Sequence, residues 1–275
     1  MRNRTSTTGG FSVVELMVVA AVVMAVAFVF LSVAPAFRWR EYDNRTARAT
    51  CDNNLKQIGL AFKTWALDNK DRYPMQVPEA EGGPPNQAQL MQPDPVAAFT
   101  YQIFGTMSNE LSTPKILVCP SDNSLCRANF LMVRDGTSNQ VVAGQTTLCN
   151  LNLSYFVGRD AGESSPAMPL AGDRNIYGGG LIPHNFSNSK INGGYGNSPI
   201  HAGASYSPGF AAAMGTNLTA GDSSACWTGK MHRGQGNVLL SDGSVQHMNN
   251  VRLRALLAAS GDTNAPPRQN MLLFP

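Results

Sequence analysis

Residues 10–37 read GFSVVELMVVAAVVMAVAFVFLSVAPAF. From 13 to 33 the run is apolar apart from Ser32 and one carboxylate, Glu15. At 1.5 Å per helical residue it matches the roughly 30 Å hydrocarbon core of a bilayer, so the pattern predicts a membrane helix. Glu15 lies two places inside, where a carboxylate costs on the order of 2.5 to 3.5 kcal/mol unless it finds a partner. A short polar leader, MRNRTSTTGG, precedes the run. Downstream, Leu55, Ile58, Phe62 and Trp65 recur at spacings of three and four, a stripe on one face of a continuing helix that needs a sheet to cover. Pro35 is expected to kink or loosen the helix, and the helix is expected to end near 68–71, ahead of Tyr73-Pro74.

The rest of the chain is neutral and rich in loops. Of 275 residues only 14% are charged, while 26 are Gly and 17 Pro. Residues 1–50 hold six Arg and three acids, and the remainder holds fifteen basic and fifteen acidic side chains. The net charge of +3 therefore sits at the N-terminus. A nucleic-acid binder concentrates its cations on the globular part that meets phosphate, so no nucleic-acid partner is expected.

Residues 74–98, rich in Pro and Gln, read as a long surface loop or helix-bearing insertion. Strands are expected at 116–119, 141–144 and 151–157. From 158 to 230, Gly, Asn, Ser and Pro crowd long connections anchored by Tyr177, Phe186, Tyr195, Tyr206 and Phe210. The clearest hairpin is 237–248, where Asp242-Gly243 between two short apolar runs signals a two-residue turn with both central residues at positive φ. An amphipathic helix over 251–259, stopped by Gly261, closes the pattern.

The junction Gly10-Phe11-Ser12-Val13-Val14-Glu15-Leu16 resembles the processing site of the type IV prepilin family. That resemblance implies cleavage after Gly10 by prepilin peptidase, N-methylation of Phe11, and Glu15 as the family's glutamate. An amine created at Phe11 would lie at the depth where Glu15 of an adjacent subunit needs a cation. Such a head-to-tail contact, if it does not close into a ring, generates a helical filament. Against this stands Ala34-Pro35-Ala36, an A-x-A-like site where a signal peptidase would release a secreted protein beginning at Phe37. The apolar run exceeds the 7 to 15 residues of a signal h-region, and Glu15 has no purpose there.

CDNNLKQIGLAFKTWALDNKDRYP looks like the stem of bacterial pseudopilins. MHRGQGNVLLSDGSVQ, a His-x9-Asp-Gly pattern through His232, Asp242 and Gly243, resembles the C-terminal motif of prepilin-like proteins abundant in Planctomycetes and Verrucomicrobia. The stretches ILVCPSD, SYFVGRDA and GDRN are similar to that group as well. The implied fold is α+β and pilin-like: a leader over 1–10, a transmembrane half of the N-terminal helix over 11–37, and a stem half over 38–72. The helix would pack on a small, mainly antiparallel sheet with long loops in an ectodomain over 73–275.

Five cysteines, Cys51, Cys119, Cys126, Cys149 and Cys226, leave at least one free or paired between chains. Cys51, on the stem among small side chains, is the natural odd one, and the other four admit three pairings, among them Cys119 with Cys126 and Cys149 with Cys226. No C-x2-C spacing suggests zinc. Of the histidines, His184, His201, His232 and His247, either His232 or His184 could form a metal or catalytic site with Asp173 or Asp242. A His beside a hairpin is more often a hydrogen-bonded structural residue, and no nucleophile elbow or phosphate-cradling loop occurs. No cofactor is expected. Calcium stays open, as in some major pseudopilins, through the hard oxygens of Asp173, Asp222 and Asp242.

Two functions follow. The first is a non-enzymatic pseudopilin or minor pilin of a type II secretion or type IV pilus-like filament. Its partners are prepilin peptidase, other pilin-like subunits and the inner-membrane assembly platform. Its place would be the inner membrane, single-pass, with the ectodomain in the periplasm or cell envelope. The alternative is a membrane-anchored or secreted ligand- or metal-binding or hydrolytic module using the region of His232 and Asp242. Only the filament reading needs Glu15.

Overall fold

The stripe of Leu55, Ile58, Phe62 and Trp65 is fully or almost fully buried, and Cys51, one turn earlier, extends it with no exposed surface. These residues lie on α1 (Val13–Asp68), whose end is marked by Lys70 and Asp71 at positive φ. The computed structural model describes residues 12–91, 99–122, 129–131, 148–177, 210–213, 225–227, 229, 231–260 and 271–275, with side chains of 29–44, 151, 177 and 210–213 outside the description. The chain divides into two units, Met1–Thr46 and Ala47–Pro275.

In the first unit, the side chains of residues 13–28 are all exposed, from Val13 at 75% to Phe28 at 74%. This stretch corrects the expected transmembrane half of the helix. Among the described residues no helix is long and apolar enough to cross a membrane. The described apolar face is about 24 Å long at 1.5 Å per residue, short of the roughly 30 Å required. Residues 29–44, which include Pro35, add backbone helix but no described side chains.

The second unit is α+β. Its main sheet comprises β1 (Tyr155–Gly158), β2 (Pro169–Asp173), β4 (Phe210–Ala213), β6 (Gly236–Leu240), β7 (Val245–Met248) and β8 (Met271–Phe274). The order is β4-β8-β1-β2-β6-β7, with every pairing antiparallel. β3 (Ile176–Tyr177) and β5 (Cys226–Trp227) form a separate antiparallel pair.

Alternation along the strands gives the sheet two apolar faces. Tyr155, Val157, Ala171, Leu239 and Leu273 share a core with the α1 stripe. Phe156, Val238, Leu240, Leu272 and Phe274 join Leu253 and Leu257 of α5 (Asn250–Ala259) and Trp227 on the other side. The sheet is therefore covered by helix on both faces. Gly59 allows the close approach of α1, because a Cβ there would meet Leu239 Cδ1 at 2.8 Å.

Several local expectations are corrected. Residues 116–119 are not a strand: Pro114–Leu117 is a 3₁₀ helix, with Pro at its start and Thr113 accepting from the Lys115 amide. Of 151–157 only the end is strand, preceded by the 3₁₀ turn Asn150–Asn152. The stretch 141–144 lies outside the described residues. The insertion after Tyr73 carries two 3₁₀ turns and α2 (Gln87–Leu90), and α3 (Thr100–Thr106) and α4 (Ser108–Leu111) follow it.

The hairpin turn has three residues rather than two. Leu240 N donates to Ser244 O at 2.9 Å, enclosing Ser241, Asp242 and Gly243. Only Gly243 has positive φ, at 91°. This is the geometry of a tight turn followed by a left-handed glycine, and Asp242 supports it by accepting from the Ser244 amide at 2.7 Å.

Candidate functional site

Four side chains from four distant segments meet on the α1 face of the sheet: Cys51, Cys119, Asp173 and His232. One donor atom from each falls within 4.8 Å of the others, and all four residues are buried.

Each is placed by a local cause. Cys51 continues the α1 stripe. Cys119 opens a turn in which the Asp122 amide donates to the Cys119 carbonyl at 2.9 Å, while Asn54 of α1 donates to the Val118 carbonyl at 3.1 Å. Asp173 ends β2 two residues after Ala171, so the period of two turns it to the α1 face opposite Tyr155. His232 sits in a turn whose residues His232, Arg233 and Gly234 have φ of 48°, 54° and 78°. A left-handed non-glycine residue costs roughly 1 to 2 kcal/mol, so this turn holds the imidazole in place against a backbone preference.

Cys51 and Cys119 are joined as a disulfide, with Cα atoms 5.2 Å apart. This corrects the reading of Cys51 as the odd cysteine. Cys149 donates its thiol to Asn152 Oδ1 at 3.0 Å, Cys226 forms no disulfide among the described residues, and Cys126 lies outside them. Cys119 Sγ is 3.3 Å from His232 Nε2, and Asp173 Oδ2 is 3.5 Å from the same nitrogen. The Tyr155 hydroxyl donates to Cys51 Sγ at 3.5 Å, and the Asn237 amide donates to Asp173 Oδ2 at 2.7 Å. Asp173 Oδ1 and His232 Nδ1 are buried with no hydrogen-bond partner among the described residues.

Burial sets the charges. Desolvation raises the Asp173 carboxyl to about 8, partly offset by the Asn237 amide. Desolvation lowers His232 to about 4, with the nearby Arg48 guanidinium adding to the shift. The disulfide-closed cluster thus holds a neutral acid beside a neutral imidazole at pH 7, a polar contact rather than an ion pair.

A further layer holds the site. Arg174 clamps Asp122 through two bonds of 2.9 and 3.1 Å, both groups being nearly buried. Asn175 donates to the Met231 carbonyl at 3.2 Å, and Arg48 donates to the His232 carbonyl at 3.2 Å. The stretches CDNN, CPSD, SYFVGRDA, GDRN and MHRG, apart in sequence, therefore each send a side chain to this cluster or to the layer around it.

Of the other candidates, Asp242 is exposed in its hairpin turn and Gly243 is bounded by Lys63 Cε, which a Cβ would approach to 3.1 Å. His232 thus meets Asp173, while Asp242 serves the turn. Glu15 Oε2 accepts from the Ser12 amide at 2.9 Å at the start of α1. Gly10, Phe11, Asp222, His184 and His201 lie outside the described residues. Spacing could not reveal the cluster, since no two of its members are neighbours in sequence. The available signals were the α1 stripe, which already pointed Cys51 inward, and the alternation of β2, which turned Asp173 to the same face.

No known protein family, characterised protein or solved structure matches the chain.

Proposed function

We propose that this chain is a structural subunit of a pilin-like filament, a pseudopilin or minor pilin of a type II secretion or type IV pilus-like machine. One observation carries the reading: residues 13–28 form a helix that is apolar and exposed all round, with one carboxylate, Glu15, near its start. A helix of this kind is not stable facing water and has to be covered. In this reading the same segment of neighbouring subunits covers it.

Glu15 already holds the Ser12 amide at the helix start, and cleavage after Gly10 would leave an amine at Phe11, the residue before Ser12. Pairing with that amine of a neighbour joins a donor end of one chain to an acceptor of the next, the head-to-tail contact that builds a filament. Prepilin peptidase and the inner-membrane assembly platform are the partners this route requires, and the body works in the periplasm or cell envelope. No catalysis is assigned. The cluster is buried among the described residues, which favours a structural role for His232 over the hydrolytic alternative.

The Glu15→Val substitution tests the contact. It makes the helix more apolar and leaves the body untouched, so folding should persist while recovery in sheared filaments, co-expressed with wild type, falls at least tenfold. Incorporation of the valine chain at the wild-type ratio would contradict the pairing.

A further inference from the structure

We propose that Cys51, Cys119, Asp173 and His232 form a closed, four-ligand zinc site in the dithiol form of the chain. The inference is independent of the filament reading. A tetrahedral zinc ion with bonds of about 2.3 Å to sulfur and about 2.0 to 2.1 Å to nitrogen or oxygen sets neighbouring donors about 3.3 to 3.8 Å apart. The contacts from His232 Nε2, 3.3 Å to Cys119 Sγ and 3.5 Å to Asp173 Oδ2, already have that size. The two sulfurs have to separate, to about 3.8 Å, by rotation about their Cα–Cβ bonds with the Cα atoms 5.2 Å apart, and the remaining donor pairs, all within 4.8 Å, have to settle into the same range.

Charge and hydrogen bonding support the same assignment. Asp173 Oδ1 is buried with no hydrogen-bond partner among the described residues, an orphaned polar atom of the kind that a bound metal satisfies. Two thiolates and one carboxylate around zinc leave a single negative charge, and Arg48, bonded to the His232 carbonyl, supplies the countercharge. Tyr155 on Cys51 and the Asn237 amide on Asp173 are the outer donors that hold such ligands in orientation. Two sulfurs and a nitrogen exclude calcium, which takes six to eight oxygens. Because the protein fills all four positions, the ion is structural: it ties α1, the loop after the 3₁₀ helix, β2 and the turn before β6 at one point.

Loading needs no redox step. The newly made chain carries thiols, and each thiol and the Asp173 carboxyl releases its proton to solvent as its sulfur or oxygen binds the ion. The disulfide is the other state of the same two sulfurs, and the two states exclude each other.

The test uses the full-length chain in mild detergent, which covers the exposed helix face. It is reduced with a phosphine, which returns the disulfide to two thiols and ends as the phosphine oxide. The chain is then exposed to zinc or cobalt(II) and freed of excess metal. One zinc per chain is expected, and the cobalt form should show the thiolate-to-metal charge-transfer band and intense visible bands of a tetrahedral site. The same chain with its disulfide closed keeps the fold described above and should retain no metal, a control that needs no mutation. His232→Gln and Asp173→Asn should each weaken binding at least tenfold. A reduced chain that retains no zinc, a cobalt form without thiolate charge transfer, or equal metal in the oxidised and reduced chains would overturn the assignment.

Discussion

Gly243 shows how much one residue decides in this fold. Its φ of 91° suits glycine, and a side chain there would press on Lys63 of α1. Gly243→Val is expected to destabilise the body by about 2 to 3 kcal/mol, above the roughly 1 kcal/mol of an ordinary substitution, as read by urea denaturation. An unchanged midpoint would mean that the turn adapts without strain. The Asp-Gly signal was legible in the sequence, but the turn type was not: Ser241 joins the loop because its amide donates to the Met168 carbonyl of the neighbouring segment rather than closing the hairpin. His232 was legible as a residue of interest, and sequence alone leaves its partner open between Asp173 and Asp242. Asp242 shares its motif, yet Asp173 shares its side of the sheet, and only tertiary pairing of β2 with β6 and β1 makes that choice.

Among the elements, the stem part of α1 was the most legible, because a stripe at spacings of three and four can face only one way. Phe62 lies at its centre, edge-on to Tyr73 and Phe104 with ring centroids 5.5 and 6.4 Å apart. Phe62→Ala should cost about 3 to 5 kcal/mol, the range for deleting a buried aromatic ring, measured as a loss of unfolding free energy. A loss under 1 kcal/mol would mean that the helix is not an essential cover of the sheet. The strands were harder to read. β1, β2 and β8 are buried on both faces, so their apolar runs lack the alternation that marks a half-exposed strand. The run at 116–119 has a strand's composition, but Pro114 starts a 3₁₀ turn that carries Cys119 towards α1 instead.

At the scale of the whole molecule, two apolar demands are met differently. The body buries its own core on both faces of one sheet. The first unit leaves the apolar residues 13–28 uncovered within a single chain. The central claim is that this segment begins a processed subunit and is covered by its neighbours. The mass of the mature N-terminus, measured on protein recovered from its native envelope, tests that claim most directly. A chain beginning at N-methylated Phe11, with residues 1–10 removed, is expected. A chain beginning at Phe37, or one retaining the leader through Gly10, would contradict it.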